Sequence, residues 1–314
     1  MRKNSKIYVS GHTGMVGKTL CQLLANGGYN NLVLKSSSEL DLRDHRKTEL
    51  FFKNERPEYV FHLAARVGGI ADNIEHPAEF LHDDLAISMN VINCALKFGV
   101  KKMINLASSC VYPRECKQPM KEDSLLSGKL EPTNEGYALA KIVALKLCEY
   151  CNQQHHTDFI TLMPCNLYGV NEKFDSLYSH VISGLILKFH KAKIQKDKHI
   201  TLWGKGKARR EFLYVGDFAK IALFFMENFS SKDLNNSFVN VGSGEDLSIK
   251  ELAQLIARLV GYNGIIRWDL ESPEGMPKKL LDVSSMKKLY PFSLISLEKG
   301  IKLTYDYYLK TLKQ

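Results

Sequence analysis

Tyr137 and Lys141, four apart in Tyr137-Ala-Leu-Ala-Lys141, have the types and the spacing for proton transfer. On a helix they share one face, one turn apart, so an ammonium stands beside a phenol. A free tyrosine has a pKa of about 10. A fixed cation close by favours the phenolate, and the acidified pair is expected to pass a proton to or from an alcohol oxygen. An isolated Y-x-x-x-K is more often a half-buried tyrosine beside a solvated lysine. Its meaning depends on what surrounds it, first of all Ser108-Ser109-Cys110 earlier in the chain.

Such residues need a scaffold that ends several strands at one edge. Lys6-Ile-Tyr-Val-Ser10 reads as a short apolar strand, Gly11-His-Thr-Gly14-Met-Val-Gly17 follows at once, and Thr19-Leu-Cys-Gln-Leu-Leu opens a helix. Glycines between a strand and a helix let the backbone approach a pyrophosphate and aim a helix N-terminus at it. Gly11, Gly14, Met15, Val16 and Gly17 are therefore expected at a dinucleotide, although the spacing is G-x-x-G-x-x-G. A second strand, Asn31-Leu-Val-Leu-Lys35, ends in Lys35-Ser-Ser-Ser38. No acidic side chain stands there to bind a ribose 2′-hydroxyl or repel a 2′-phosphate, so the pattern favours NADP over NAD. Asp41, followed by Leu42, offers a carboxylate to the adenine amino group. A third strand, Tyr59–His62, runs into Leu63, Ala64 and Ala65, where small residues let a cofactor lie against the backbone.

A long helix from about Pro77 to Phe98 leads to a fourth strand, Lys101 to Ala107, that ends at Ser108. The helix of Tyr137 runs to about His155, and a fifth strand is Phe159-Ile-Thr-Leu-Met-Pro164. This alternation predicts an α/β fold: a Rossmann, doubly wound parallel sheet with a smaller C-terminal α/β substrate lobe. The glycines, Ser108 and Tyr137 then fall on its carboxyl edge, where ligands bind. The dinucleotide-binding domain is expected over residues 1–165 plus about 212–242, and the substrate lobe over about 166–211 plus 243–314.

A chain of 314 residues is long enough for both units. With 45% hydrophobic and 25% charged residues it has a globular composition. It shows no apolar run of membrane-spanning length and no leader pattern, so neither a membrane nor a signal peptide is expected, and the cytoplasm is the expected location. Seven cysteines make an odd set that argues against a disulfide framework. Cys148-Glu-Tyr-Cys151 lies within a helix without a second pair, so buried thiols are expected and no metal site. The net charge of +9 comes from scattered lysines. With no basic run interleaved with aromatics, it points to small phosphorylated ligands and not to nucleic acid.

Together these residues resemble the extended short-chain dehydrogenase/reductases that act on nucleotide sugars. They are most similar to the GDP-L-fucose synthases, the GDP-4-keto-6-deoxymannose 3,5-epimerase/4-reductases. The resemblance runs along essentially the whole chain: Gly11-His-Thr-Gly-Met-Val-Gly17, Ala64-Ala-Arg-Val-Gly-Gly-Ile70, Ser108-Ser-Cys-Val-Tyr-Pro113, Leu130-Glu-Pro-Thr-Asn-Glu135, Asn166-Leu-Tyr-Gly169, Ser179-His-Val-Ile182, Arg210-Glu-Phe-Leu213 and Lys278-Lys-Leu-Leu-Asp282. It implies that Ser108 binds the substrate's C4 oxygen, that Tyr137 protonates it, and that Lys141 acidifies Tyr137 and binds the nicotinamide ribose. Cys110 and His180 match the base and acid for proton exchange at C3 and C5. Pro164 and Leu167 would line the cofactor. Asn166, Lys188, Trp203, Arg210 and Lys279 would bind the substrate, with Arg210 clamping its diphosphate. NADPH as cofactor, a GDP-linked 4-keto sugar as substrate and a homodimer are implied with them.

The chain departs from the family pattern at Thr13, where an arginine often meets the 2′-phosphate, and at Gly136, Cys165, Ser183 and Gly216. Gly136 and Ser183 stand where prolines would fix the backbone near Tyr137 and His180, so two loosened segments and weakened epimerisation are expected. Three alternatives stay open. One is a reductase acting only on a related GDP-4-keto sugar, such as a heptose; another is a UDP-hexose 4-epimerase; the third is a non-enzymatic dinucleotide-binding regulator.

Overall fold

The computed structural model describes residues 1–174, 180–234, 236–271 and 276–312. Strand and helix alternate through the first half: β1 (Ile7–Ser10), α1 (Met15–Asn26), β2 (Leu32–Val33), α2 (His45–Glu55), β3 (Tyr59–His62), α3 (Ile70–Glu75), α4 (Pro77–Lys97), β4 (Lys102–Leu106), α5 (Glu135–His155) and β5 (Phe159–Pro164). Then follow β6 (Asn166–Tyr168), α6 (Val181–Gln195), β7 (His199–Trp203), β8 (Arg209–Tyr214), α7 (Val215–Asn228), β9 (Phe238–Val241) and β10 (Asp246–Ser248). The last elements are α8 (Ile249–Val260), β11 (Ile265–Asp269), β12 (Lys278–Lys279), α9 (Ser284–Leu289) and α10 (Leu297–Thr311).

Six strands form one parallel sheet in the order β2-β1-β3-β4-β5-β9. A parallel sheet covered on both faces has strands that read as continuous apolar runs. That is why β1 and β5 are buried from end to end. Successive side chains alternate between two cores. Ile7, Val9, Phe61 and Ile104 meet Leu20 and Leu24 of α1 and Phe218 and Phe225 of α7. Tyr8, Val60 and Met103 meet Phe52 of α2, Val91 and Ile92 of α4 and Ala144 of α5 on the other face. The strand order reverses between β1 and β3, which opens a crevice at their carboxyl ends.

A third core, Ile182, Ile186, Phe189, Leu252, Ile256, Ile301 and Tyr305 among others, gathers α6, α8 and α10. Beside it β8 pairs with β6 and β12 in parallel and with β10 in antiparallel, while β7 and β11 form a parallel pair. Consecutive residues of β8 bridge two of these cores, since Phe212 belongs to the third and Leu213 to the first. Local signals set the helix bounds. Ser248 and Glu251 close a capping box at the start of α8, and Gly261 ends it in a left-handed turn. Strand β2 stops at Val33, short of the expected Lys35, because Ser36 starts a turn closed by Leu40 N–H on its carbonyl at 2.9 Å.

Candidate active site

The glycine turn is shaped by close approach. Gly11 has φ +70°, and a Cβ there would stand 2.8 Å from the Ala64 nitrogen. At Gly17 a Cβ would lie 2.2 Å from the Gly11 carbonyl oxygen, so only glycine lets α1 close on the turn. Gly14 precedes α1 and has no side chain to cap the first-turn amides of Met15, Val16 and Gly17, which suits them to an anion. Beneath the turn, Ser10 Oγ accepts the Leu63 and Ala64 amides at 3.1 and 3.3 Å and is hydrogen-bonded to His62 Nδ1 at 2.9 Å. Ala65 continues this segment half-buried. Burial, reinforced by Lys141, pushes His62 down to about 3, so it is a neutral ring. Ser10 and His62 escaped the sequence reading; a polar pair at the ends of two apolar strands was the available signal.

At the end of β2 the structure corrects one expectation. An acidic side chain does stand there: Glu39 folds back so that its carboxylate accepts Ser36 N–H at 2.9 Å and Ser36 Oγ–H at 2.7 Å. Lys35 Nζ approaches the same carboxylate at 3.5 Å. The Lys35-Ser-Ser-Ser38 run thus donates to Glu39, a residue just beyond the stretch read as free of acids. Asp41 is likewise engaged, by Arg43 Nε and a terminal nitrogen at 2.9 Å each, and Leu42 is buried.

Ser108, Cys110, Tyr137 and Lys141 meet at the carboxyl end of β4. Ser108 opens a tight turn in which its hydroxyl accepts the Cys110 amide at 3.5 Å, and it stands close enough to the Tyr137 hydroxyl and the Cys110 thiol to favour ionisation of both. Lys141 Nζ donates to the Leu106 carbonyl at 3.1 Å and stands 5.6 Å from the Tyr137 ring centre. Phe80 of α4 meets that ring edge-on at 6.4 Å. The phenol is not acidified as expected. Burial holds Tyr137 well above its ordinary range, and the nearby Cys110 and Asp84 add to this, with only Ser108 pulling the other way. The lysine is turned toward a carbonyl, so burial dominates and Tyr137 is a protonated donor. Burial lowers Lys141 itself, against the pull of Asp84 and Cys110. It also raises Cys110, opposed by Lys279, Ser108 and Lys141. From below, the turn is pinned by Tyr112, whose hydroxyl donates to Asn240 Oδ1 at 2.6 Å, while Asn240 Nδ2 donates to the Met120 and Asp282 carbonyls.

The second unit brings cations to the same place. In β12 and β8, Lys279 and Arg210 are register partners, and Lys279 is close enough to Cys110 to interact with it. Burial lowers Lys279, with Arg210 acting the same way and Cys110 and Glu131 opposing. Asn166 Nδ2 donates to the Glu211 carbonyl at 2.8 Å, which ties β6 to β8. Pro164 ends β5 in the buried sheet, and Leu167 packs against its core. Glu211, another residue missed in sequence, is fully buried and accepts the Gly244 and Leu281 amides at 2.7 and 2.9 Å. Farther out, Lys188 Nζ stands 5.6 Å over the Trp203 ring, which is 72% exposed and free to stack on a base. His180 is exposed before α6. Among the described residues no hydrogen bond or ion pair joins it to Cys110, and Ser179 lies outside them.

Two departures have other consequences than loosening. A Cβ at Gly136 would stand 2.6 Å from the Pro77 carbonyl oxygen, so glycine lets α5 close onto the start of α4. Ser183 Oγ–H donates to the His180 carbonyl at 2.9 Å and fastens the first turn of α6.

Residues 7–242 match the NAD dependent epimerase/dehydratase family. The GDP-L-fucose synthase of Escherichia coli K12 is 43% identical over 310 residues, covering 97% of this chain and 97% of that one. The structure of a GDP-6-OMe-4-keto-L-xylo-heptose reductase from Campylobacter jejuni superposes with a TM-score of 0.94 at 36% identity, covering 99% of each chain. A GDP-mannoheptose C4 reductase from the same organism, with NADP bound, has a TM-score of 0.90 at 37% identity, covering 98% of this chain and 99% of that one. With this match and these identities along its whole length, the chain belongs to the NAD dependent epimerase/dehydratase family.

Proposed function

We propose that the chain is an NADPH-dependent C4 reductase of a GDP-linked 4-keto-deoxy sugar, similar to GDP-L-fucose synthase, with C3/C5 epimerisation in the same pocket. The observation that carries this reading is the meeting of Ser108, Tyr137 and Lys141 at the carboxyl end of β4, on the edge that also holds the glycine turn. The turn fits a dinucleotide, because Gly11 and Gly17 leave space that a Cβ would fill. NADP bound to the Campylobacter heptose reductase supports NADP(H) over NAD.

When bound, the cofactor supplies a hydride to the C4 carbonyl carbon. Ser108 Oγ–H holds the C4 oxygen, and Tyr137, kept protonated by burial, gives that oxygen its proton as the carbon is reduced. Lys141 would place positive charge beside the phenolate that remains and would offer Nζ to the cofactor's ribose hydroxyls. Arg210 and Lys279 would hold the diphosphate, Trp203 with Lys188 the guanine, and Asn166 the sugar. Proton exchange at C3 and C5 asks more of the site. Cys110 begins as a thiol, and Lys279, with Lys141 behind it, is the cation that most favours losing its proton.

That thiol favours a second reading, a reductase acting only on a GDP-4-keto heptose epimerised by another enzyme. Incubation with GDP- and UDP-4-keto sugars and NADPH in D₂O, followed by mass spectrometry and proton NMR, decides between them. Deuterium at C3 and C5 with both centres inverted supports the bifunctional enzyme. A reduced product without deuterium supports the reductase alone, and no NADPH oxidation with any sugar defeats both.

We further propose a cofactor domain of residues 1–165 plus about 212–242 and a substrate lobe of about 166–211 plus 243–314. The separate core around α6, α8 and α10 supports that division. We also propose a homodimer in the cytoplasm. Leu139, Val143 and Tyr150 of α5 and Met89 of α4 present apolar surface that a second copy would cover, and the seven cysteines are free thiols. No described helix is long and apolar enough to cross a membrane.

A further inference from the structure

Asp84, on α4 where that helix lies along α5, is a carboxyl with no part in the mechanism above. It is 1% exposed. One oxygen accepts the Arg66 amide at 2.6 Å, and the other is buried without a hydrogen-bond partner among the described residues. A carboxylate enclosed in this way is costly unless a charge balances it. The charged and titratable groups around it are Lys141 and Tyr137 from α5, Arg66 from the segment after β3, and Asp83 beside it on α4. Only Lys141 and Arg66 are cations, and the Arg66 guanidinium is drawn off to Asp83 at 3.3 Å. Among the described residues Lys141 has only a neutral hydrogen-bond partner, the Leu106 carbonyl. The two buried groups therefore lack complementary charges that each can give the other.

On the reading of the site given above, we propose that Asp84 is a positioning residue for the reduction. Its carboxylate is the counter-charge that keeps Lys141 an ammonium and adds to the burial that keeps Tyr137 an undissociated proton donor. The sign follows from the electrostatics. Burial lifts Asp84 to about 6, with Lys141 and the Arg66 amide holding it down. Above that pH it is an anion, and an anion raises both Lys141 and Tyr137. Below it the counter-charge is lost. Removing the charge permanently moves both proton donors to lower pH.

The test is NADPH oxidation with GDP-4-keto-6-deoxymannose from acid to alkaline pH, for wild type, Asp84→Asn and Asp84→Glu. In Asp84→Asn the alkaline limb of kcat/KM is expected to move down by about one pH unit. The inflection near pH 6 should disappear, and Asp84→Glu should restore both. A merely structural role lowers the rate at every pH and leaves the limb in place. The second measurement needs no sugar: wild type carrying carboxyl-¹³C aspartate is titrated by NMR, with the Asp84 signal assigned by its loss in Asp84→Glu. Its inflection is expected near pH 6 and should move upward in Lys141→Met. An unmoved alkaline limb, or an Asp84 signal indifferent to Lys141→Met, overturns the proposal. If no sugar is reduced, the functional reading fails separately and the titration decides for Asp84, as it also does if Asp84→Asn does not fold.

Discussion

Tyr137 and Glu39 show how far a residue's chemistry follows from its surroundings. Tyr137→Phe keeps the ring that packs on Phe80 and removes the transferable proton. Reduction is expected to fall by about 10²–10⁴-fold while NADPH binding, measured by fluorescence, stays near wild type; near-normal turnover would displace Tyr137 from its role. Glu39 occupies the donors of Ser36 and Lys35. Glu39→Gln should therefore free Lys35 for a 2′-phosphate and raise the affinity for NADPH over NADH several-fold, read by titrating both cofactors. An unchanged ratio would mean that the turn at Ser36 lies away from the ribose. Residue types and spacings were enough to bring Ser108, Tyr137 and Lys141 together on paper, and they do meet at the end of β4. The protonation state of Tyr137 was not legible, because it depends on burial and on Cys110 and Asp84, which the fold brings in from elsewhere in the chain.

At the scale of elements, the strands and helices of the first half were legible because a covered parallel sheet writes itself as short apolar runs between helices. Glycine was harder to read. Gly11 and Gly17 follow a strand and open a helix, the context in which a glycine turn reads as a dinucleotide site. Gly136 sits in a helix start, where a glycine suggests looseness until the Pro77 carbonyl is seen 2.6 Å from where a Cβ would lie. Gly136→Ala should push the starts of α4 and α5 apart, cost about 1–3 kcal/mol in chemical denaturation, and lower kcat by displacing Tyr137. A variant of unchanged stability and kcat would show that the contact yields freely.

For the whole molecule, the second unit was the least legible part, since β8 mixes parallel and antiparallel partners drawn from distant segments. The α5 surface of Leu139, Val143 and Tyr150 carries a prediction of its own. Val143→Glu should turn a dimer into a monomer in light scattering, with the fold intact by circular dichroism; a wild-type chain that is already monomeric removes the proposed interface. The bond from Tyr112 to Asn240 spans 128 residues, and this distance has a meaning in time. During synthesis Ser108, Tyr137 and Lys141 leave the ribosome well before the anchor of their turn. A nascent chain stalled after β5 already carries the groups proposed to act on the ketone, yet its Ser108–Cys110 turn lacks the anchor from Tyr112 to Asn240. Competence is therefore expected only once β9 has joined the sheet.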